Sequence, residues 1–318
     1  MPTGNKQAVL LLAHGSPDKP EDVPEFLKLV TAGRATQSVV DEVTHRYGLI
    51  GVSPLTRITL RQGELLAQSL GLPVYVGMRN WKPYVEDAVR QMAADRIERA
   101  VVICLAPQNS RTSTGLYKKS LMEAQQSVGT TFATEVVDHW HDHPLLVRAF
   151  AERLQDGWTR ACAEAGTRVP IIFTAHSVPA RTIADGDPYE AQAKETAALV
   201  AMQVPTITVE DWTFAFQSQG MAGGPWIGPT VEETIRNLKA RGNRAVFIQP
   251  IGFVCDHVEV LYDIDIAFRD FAAKEGIRLW RAESLNDSPT FIAALADVAR
   301  SRLEPAGGQR PQIVQIGS

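Results

Sequence analysis

The sequence predicts an α/β protein of two similar domains, each a parallel sheet flanked by helices, with a cleft between them. Its 318 residues exceed what one hydrophobic core usually serves. Short apolar runs rich in Val, Ile and Leu alternate with longer segments of helical period. The second half also repeats local sequences of the first half in the same order.

The apolar runs predict five buried strands, and the periodic segments between them predict six helices. The strands are Val9–Ala13, Val74–Gly77, Ala100–Leu105, Ile171–Ala175 and Ala245–Ile251. The helices are Thr56–Leu70, Pro83–Ala94, Pro144–Ala165, Pro188–Met202, Val231–Ala240 and Phe291–Leu303. Three of these helices have a proline near the first turn, where its missing N–H costs nothing.

Two pairs of matching segments relate the halves. Val9–Pro17, which reads VLLLAHGSP, is echoed by Ile171–Pro179, which reads IIFTAHSVP. Arg99–Pro107 and Arg244–Gly252 both open with Arg-Ala-Val. Each half therefore has a strand that ends in Ala-His, and ligands of open α/β sheets bind at the carboxyl ends of strands.

The domain boundary is placed at the stretch rich in His and Asp before Pro144, which gives domains of residues 1–143 and 144–318. The last predicted helix is expected to pack back on the first domain. Gly307–Ser318 has little to bury and is expected to be mobile. We expect a monomer, because the cleft forms between domains of one chain.

The composition argues against several classes of protein. A formal net charge of −4 does not suit a general nucleic-acid binder. No stretch approaches the roughly 20 apolar residues of a membrane span, and the first apolar run is too short for a signal peptide. Cys104, Cys162 and Cys255 are widely spaced and form no CxxC pair, so neither a disulfide framework nor an iron–sulfur cluster is expected. These features predict a cytoplasmic location.

His176 and Glu259 are the candidates for chemistry. His176 follows a buried strand, so its ring should emerge into the cleft, although capping a helix or satisfying a buried carbonyl is equally open. Glu259, Asp263 and Ala267 fall at four-residue spacing on one face of an otherwise apolar helical segment. Burying a carboxylate there is costly, which favours a function for Glu259. For Asp263 and Asp265 the alternative is a solvated helix face.

Glycine-rich corners occur at His14–Pro17, Gly51–Pro54 and Gly220–Trp226, and none matches a Walker A loop or a dinucleotide fingerprint. A Gly-Ser-Pro corner can still begin a helix that receives an anion on its backbone N–H groups. The basic and aromatic residues that accompany these corners are Arg46, Tyr47, Arg57, Arg79, Trp81 and Tyr117. Taken one at a time, the arginines are better explained by surface solvation.

A run of alternating histidines, His139, His141 and His143, stands at the domain junction. On an extended chain the three imidazoles would share one side, as a zinc site requires. The position just ahead of a helix favours the alternative, an exposed polar connection that binds metal only adventitiously.

Together these segments resemble the ferrochelatase family over nearly the whole chain, from Ala8 to Leu303. The segments of the first half are Ala13–Pro17, Arg46–Leu55, Gly77–Pro83 and Leu105–Pro107. Those of the second half are Thr174–Pro179, Gly186–Tyr189, Phe216–Gly220, Pro225–Pro229 and Gly252–Glu259. One such motif would be weak, but the shared order and spacing make the resemblance strong.

The resemblance implies the chelatase fold, with two Rossmann-like domains and a porphyrin cleft, and a lyase that inserts Fe²⁺ into a porphyrin in haem biosynthesis. His176 and Glu259 would be the catalytic pair and would hold the metal, with Asp263 as a weaker candidate. His14 would reach the opposite face as an axial ligand of the product iron. The porphyrin contacts would fall on Arg46, Tyr47, Ser53, Arg79 and Tyr117.

The partners implied are Fe²⁺, which is a substrate, and a porphyrin; no cofactor is expected. The chain looks like the short bacterial form, without an extension that carries a cysteine cluster or a membrane anchor. That form is associated with coproporphyrin III in many bacteria and with protoporphyrin IX in others, and we expect coproporphyrin III first. Transient contact with other enzymes of haem synthesis is a further expectation.

The chain departs from the family pattern at three positions. His14 stands where relatives commonly have a tyrosine, Gln108 where they have a histidine, and Ala267 where a third carboxylate would extend the acidic ladder. Two alternatives remain open. A cobalt or sirohydrochlorin chelatase would share the fold but would lack Asp256-His-x-Glu259, and a non-enzymatic haem carrier would not need a proton acceptor.

Overall fold

A computed structural model describes residues 6–219 and 224–303 of the chain. The tail Gly307–Ser318, for which mobility was predicted, lies outside these residues, as does most of the corner Gly220–Trp226.

Two four-stranded parallel sheets form the frame, one in each half of the chain. The first sheet has the order β2-β1-β3-β4 and the second has the order β6-β5-β7-β8, so the halves share one topology. The strands are β1 (Gln7–Ala13), β2 (Val74–Met78), β3 (Arg99–Cys104), β4 (Ala133–Val137), β5 (Ile171–His176), β6 (Trp212–Gln217), β7 (Ala245–Pro250) and β8 (Arg278–Arg281). The predicted fold class, two similar parallel α/β units, is confirmed.

Helices flank both sheets. They are α1 (Val23–Val30), α2 (Gln37–Ile50), α3 (Leu55–Leu70), α4 (Val85–Ala94), α5 (Thr114–Val128), α6 (Pro144–Ala165), α7 (Ala180–Ala184), α8 (Tyr189–Met202), α9 (Val231–Ala240), α10 (Val258–Leu261), α11 (Arg269–Lys274) and α12 (Pro289–Arg300). A π-helix, Asp263–Phe268, connects α10 to α11. The six helices and five strands that the sequence predicted all exist, with ends shifted by a few residues at most.

The strands that the sequence did not predict are β4, β6 and β8, and all three lie at sheet edges. Central parallel strands are buried on both faces and therefore read as unbroken apolar runs, whereas edge strands carry polar residues. β4 begins with two exposed residues, and β8 reads Arg-Leu-Trp-Arg.

The largest core belongs to both halves. Val9 and Leu11 of β1 point into it together with α6, α12 and one face of the second sheet. Ala8, Leu10 and Leu12 point to the other face of the first sheet, against α4 and α5. Helix α12 packs against both α3 and α6, and the Arg300 guanidinium donates to the Ser69 carbonyl at 2.7 Å.

The strand order places a ligand site in each sheet. In the first sheet, the chain continues from β1 to the neighbouring strand on one side and from β3 to the neighbouring strand on the other side. The second sheet has the same arrangement at β5 and β7. A crevice therefore opens at the carboxyl ends of these central strands. His14 follows β1, and His176 ends β5.

Candidate functional site

The cleft between the two sheets holds a cavity of about 550 Å³. Its walls come from the loops after β1, β3, β5 and β7 and from helices α2, α5 and α10. The volume is within the usual range of small-molecule sites. The residues predicted from the sequence that line it are His14, Arg46, Tyr47, Arg79, Tyr117, His176, Glu259 and Asp263.

The Glu259 carboxylate lies between two imidazoles. Its Oε1 is 3.6 Å from His176 Nε2, and its Oε2 is 3.5 Å from His257 Nε2. About a third of the Glu259 side chain is exposed, so this group faces the water of the cleft. His257 belongs to the Asp-His-x-Glu motif, yet no role was predicted for it from the sequence; its position beside the catalytic candidate was the available signal.

Three imidazoles in the cleft share one arrangement. Nδ1 of His14 contacts the Gly15 carbonyl at 2.9 Å, that of His176 contacts the Ser177 carbonyl, and that of His257 contacts the Cys255 carbonyl at 3.0 Å. A carbonyl can only accept, so each Nδ1 carries the proton. When neutral, His14 and His176 therefore present a lone pair on Nε2, the form that accepts a proton or binds a metal ion, whereas Nε2 of His257 donates to the Glu259 carboxylate.

The charges of this group support one another. Burial alone would raise the pKa of Glu259, but the imidazoles of His176, His257 and His14 outweigh burial and hold that pKa at about 2. Burial would lower the pKa of His257, but its hydrogen bond to Glu259 and the carboxylate charge raise it. Desolvation in the cleft lowers the pKa of His14, and the Arg79 charge adds to this effect.

Close packing brings the His176 strand and the Glu259 loop together. A Cβ on Gly252 would lie 2.8 Å from the Ala175 Cβ, so only glycine allows the loop after β7 to approach β5. Gln217 Nε2 donates to the Glu259 carbonyl at 2.8 Å, and the Tyr189 hydroxyl donates to the His176 carbonyl at 2.9 Å. Gln217 and Tyr189 thus position the catalytic candidates, and neither was predicted from the sequence.

The segment that carries Glu259, Asp263 and Ala267 does not continue as an α-helix. Helix α10 ends at Leu261, and the Ala267 N–H donates to the Tyr262 carbonyl five residues back, in a π-helix. Glu259 and Asp263 both line the cleft, while Ala267 is not among its lining residues. The solvated-face alternative fails for Asp265, whose carboxylate binds the Arg281 guanidinium through two contacts of 2.8 and 2.9 Å.

Asp263 and Arg46 connect the halves at the cleft. Asp263 accepts a hydrogen bond from the Ser218 hydroxyl, and its Oδ1 lies 3.9 Å from Arg46 Nη1. Burial raises the pKa of Asp263, and the nearby Glu259 charge adds to this effect. The Arg46 guanidinium also lies over the Tyr262 ring, 4.9 Å from its centroid.

Arg79 and Tyr117 form a second polar region of the wall. The Arg79 guanidinium lies 6.0 Å from the centroid of the Tyr117 ring and donates from Nε to the Asn80 amide oxygen. Within the described residues Arg79 makes no ion pair with a carboxylate, and desolvation lowers its pKa. An unpaired, half-buried arginine in a cleft suits a carboxylate of a ligand.

The remaining porphyrin candidates differ in their positions. The Tyr47 hydroxyl bonds the Ser16 hydroxyl at 2.9 Å, and this tyrosine lines the cavity although only 2% of it is exposed. Ser53 is not among the lining residues, and its buried hydroxyl has no partner in the part of the chain that the structure describes.

Gln108 stands where the family pattern has a histidine. Its Nε2 donates to Thr196 Oγ1 at 3.1 Å and to the Ile251 carbonyl at 3.2 Å.

The histidine run is not wholly exposed, contrary to the expectation. His141 is buried and its Nε2 contacts Glu195 Oε2 at 3.0 Å. His143 points elsewhere, with Nε2 3.1 Å from Asp297 Oδ2. His139 remains exposed.

Comparison with known proteins gives one consistent result. The ferrochelatase family model matches residues 6–303. A ferrochelatase from Acidobacterium capsulatum is 54% identical over 315 residues, which cover 94% of this chain and 95% of that protein. A coproporphyrin III ferrochelatase from Geobacillus sp. is 36% identical over 310 residues, which cover 94% of this chain and 98% of that protein.

Solved structures resemble the chain in fold. SirB from Bacillus subtilis with Fe³⁺ superposes with a TM-score of 0.60 at 12% identity, covering 93% of this chain and 95% of SirB. Among the described helices, none is long and apolar enough to cross a membrane.

Proposed function

Because this chain belongs to the ferrochelatase family, we propose that it inserts Fe²⁺ into coproporphyrin III, with protoporphyrin IX as the second choice of substrate. The observation that carries the proposal is the Glu259 carboxylate held between the Nε2 atoms of His176 and His257 in the cleft.

Metal insertion breaks two pyrrole N–H bonds as bonds from iron to the four ring nitrogens form. Nε2 of His176 accepts the departing protons in turn, and each passes on to water. A carboxylate with a pKa of about 2 is a weak base, so Glu259 stays ionised and stabilises the imidazolium that forms. The same negative charge attracts the Fe²⁺ ion as it enters, and neutral imidazoles beside a carboxylate suit Fe²⁺.

Contacts with the walls of the cleft also favour a bent porphyrin ring. A flat free-base porphyrin keeps its nitrogen lone pairs in the ring plane. Contacts with the ring periphery that hold a saddled ring would expose those lone pairs, so binding energy is used for distortion. The wall offers aromatic and apolar groups for this purpose, including Tyr47, Trp226 and Val178.

The distribution of carboxylate-binding groups supports coproporphyrin III, which has four propionates, over protoporphyrin IX, which has two. Arg46 on α2, Arg79 after β2 and Tyr117 on α5 lie on separate elements of the wall. The buried hydroxyls of Thr59 and Ser113 line the same cavity without a partner in the described residues. Such unsatisfied donors suit further carboxylates.

His14 comes from the first domain, whereas His176 comes from the second. We assign it to the opposite face of the macrocycle as an axial ligand of the product iron. Its Nδ1 contacts the Gly15 carbonyl, which leaves the Nε2 lone pair to bind iron, and the lowering of its pKa by desolvation favours the neutral ring.

The substrate proposal is tested by anaerobic Fe²⁺ insertion assays on coproporphyrin III and protoporphyrin IX in parallel, with rates followed by absorbance. We expect a higher kcat/KM on coproporphyrin III. A higher value on protoporphyrin IX would refute the choice of porphyrin while leaving the insertion reaction in place.

A further inference from the structure

A tight turn between β4 and α6 gathers ligand groups away from the cleft. The His143 N–H donates to the Trp140 carbonyl, and the buried Trp140 fixes the turn through its indole N–H, which donates to the Cys104 carbonyl at 3.0 Å. As a result the rings of His139 and His141 lie 5.1 Å apart between centroids. One ligand atom each from His139, His141 and Asp142 lies within 4.8 Å of the others.

His141 has a carboxylate contact on one ring nitrogen, as is typical of metal-ligating histidines. Its Nε2 contacts the Glu195 carboxylate at 3.0 Å, and a carboxylate accepts, so the ring proton lies on Nε2. The lone pair is therefore on Nδ1. A carboxylate on the distal nitrogen of a ligating histidine fixes its tautomer and makes it more basic.

The free Nδ1 is an unsatisfied group. The His141 side chain is only 4% exposed, and its Nδ1 has no hydrogen-bond partner in the described part of the chain. Leaving such a buried acceptor unpaired costs free energy. Nδ1 faces Asp142 Oδ1 at 4.0 Å, which is too far for a hydrogen bond.

The 4.0 Å between His141 Nδ1 and Asp142 Oδ1 is close to the spacing of two ligand atoms on one metal ion. Two ligands at about 2.1 Å from a tetrahedral ion lie about 3.4 Å apart. Asp142 and His139 are both exposed, so small side-chain rotations bring their ligand atoms to this spacing. Glu195 adds a further carboxylate beside the turn, which favours a cation, whereas Asp138 is already paired with Lys118.

We propose that His139, His141 and Asp142 bind one divalent transition-metal ion outside the porphyrin cleft, with Glu195 as the residue that orients His141. Two imidazoles and a carboxylate select Zn²⁺, Co²⁺, Ni²⁺ or Fe²⁺ over Mg²⁺ and Ca²⁺, which prefer oxygen ligands. The site does not depend on the chemistry of the cleft.

Cobalt binding tests the site, because Co²⁺ bound to nitrogen ligands absorbs visible light. The background is full-length protein without a histidine tag, carrying His176→Ala and Glu259→Gln to weaken binding in the cleft. We expect this background to bind Co²⁺ with a visible band, and the further changes His139→Ala and Asp142→Asn to weaken that binding at least 100-fold. Glu195→Gln alone should weaken it about 10-fold.

Exposed His45 provides the matched control, since His45→Ala removes an imidazole from helix α2 and should leave Co²⁺ binding unchanged. His139 and Asp142 are exposed, so their variants should fold, which circular dichroism checks. No Co²⁺ bound by the background, or undiminished binding after His139→Ala and Asp142→Asn, would overturn the proposal.

Discussion

Replacing Glu259 by glutamine tests the division of roles in the cleft, because it removes the charge and keeps the shape. The carboxylate lies 3.6 Å from His176 Nε2. At that distance a unit charge stabilises an imidazolium by about 1.2 kcal/mol at a dielectric constant of 80 and by about 4.6 kcal/mol at 20. The pair is about one-third exposed, so an intermediate value of about 2.3 kcal/mol applies, which corresponds to about 50-fold in kcat.

The assay is anaerobic Fe²⁺ insertion into coproporphyrin III at saturating porphyrin, with kcat compared between Glu259→Gln and the unchanged protein. Asp270→Asn removes a carboxylate from an exposed position of α11 and serves as the control. A Glu259→Gln variant that keeps kcat within about threefold would refute the electrostatic role, since even full water screening predicts a larger loss.

The walls of the cleft give three further predictions. Arg79→Gln should raise KM for coproporphyrin III by about 10-fold with little change in kcat, because it removes a charged contact to a propionate that is the same before and during insertion; an unchanged KM, measured in the same assay, would contradict this. His14→Ala should blue-shift the Soret band of the bound iron product and speed its release, and stopped-flow absorbance checks both effects; an identical spectrum would remove His14 from the iron. Gly252→Ala should destabilise the fold by about 1–3 kcal/mol, because its Cβ would meet Ala175, and an unchanged Tm in a thermal melt would show that the loop gives way.

A pH measurement checks the coupling of His257 to Glu259. The carboxylate raises the pKa of His257 against the effect of burial, so Glu259→Gln should lower it. The protonated His257 of the folded protein contributes stability below its unfolded pKa, and this contribution is lost as the pH rises through the folded pKa. NMR titration of the imidazole signals gives the shift, and an unchanged His257 pKa would contradict the contact.

The repeated strands and motifs of the two halves were predictable from the sequence, whereas elements that depend on packing were not. The strands β1, β3, β5 and β7 were predictable because each is buried on both faces, and the repeated Ala-His motif placed His14 and His176 at their ends. Of the edge strands, β2 was predicted and β4, β6 and β8 were missed; two of the five residues of β4 are exposed.

The site was predictable where a motif fixed the residue and not where three-dimensional contact did. Glu259 was predicted because burying a carboxylate on an apolar segment is costly, and the structure places it in the cleft with about a third of its side chain exposed. His257, two residues away, was missed because a histidine in a loop is as readily a solvated or capping residue as a partner of the carboxylate. The four-residue spacing also did not predict the π-helix after α10. Ser53, which the resemblance implied as a porphyrin contact, is not among the residues that line the cleft.

The measurement that tests the central claim most directly is multiple turnover under strictly anaerobic conditions. Purified protein is mixed with about a tenfold excess of coproporphyrin III and Fe²⁺, and the loss of free-base absorbance is followed to completion. We predict that metalated porphyrin accumulates well beyond one equivalent per chain, and that His176→Ala abolishes this reaction. A reaction that stops at one equivalent, or that persists in His176→Ala at the original rate, would contradict the account.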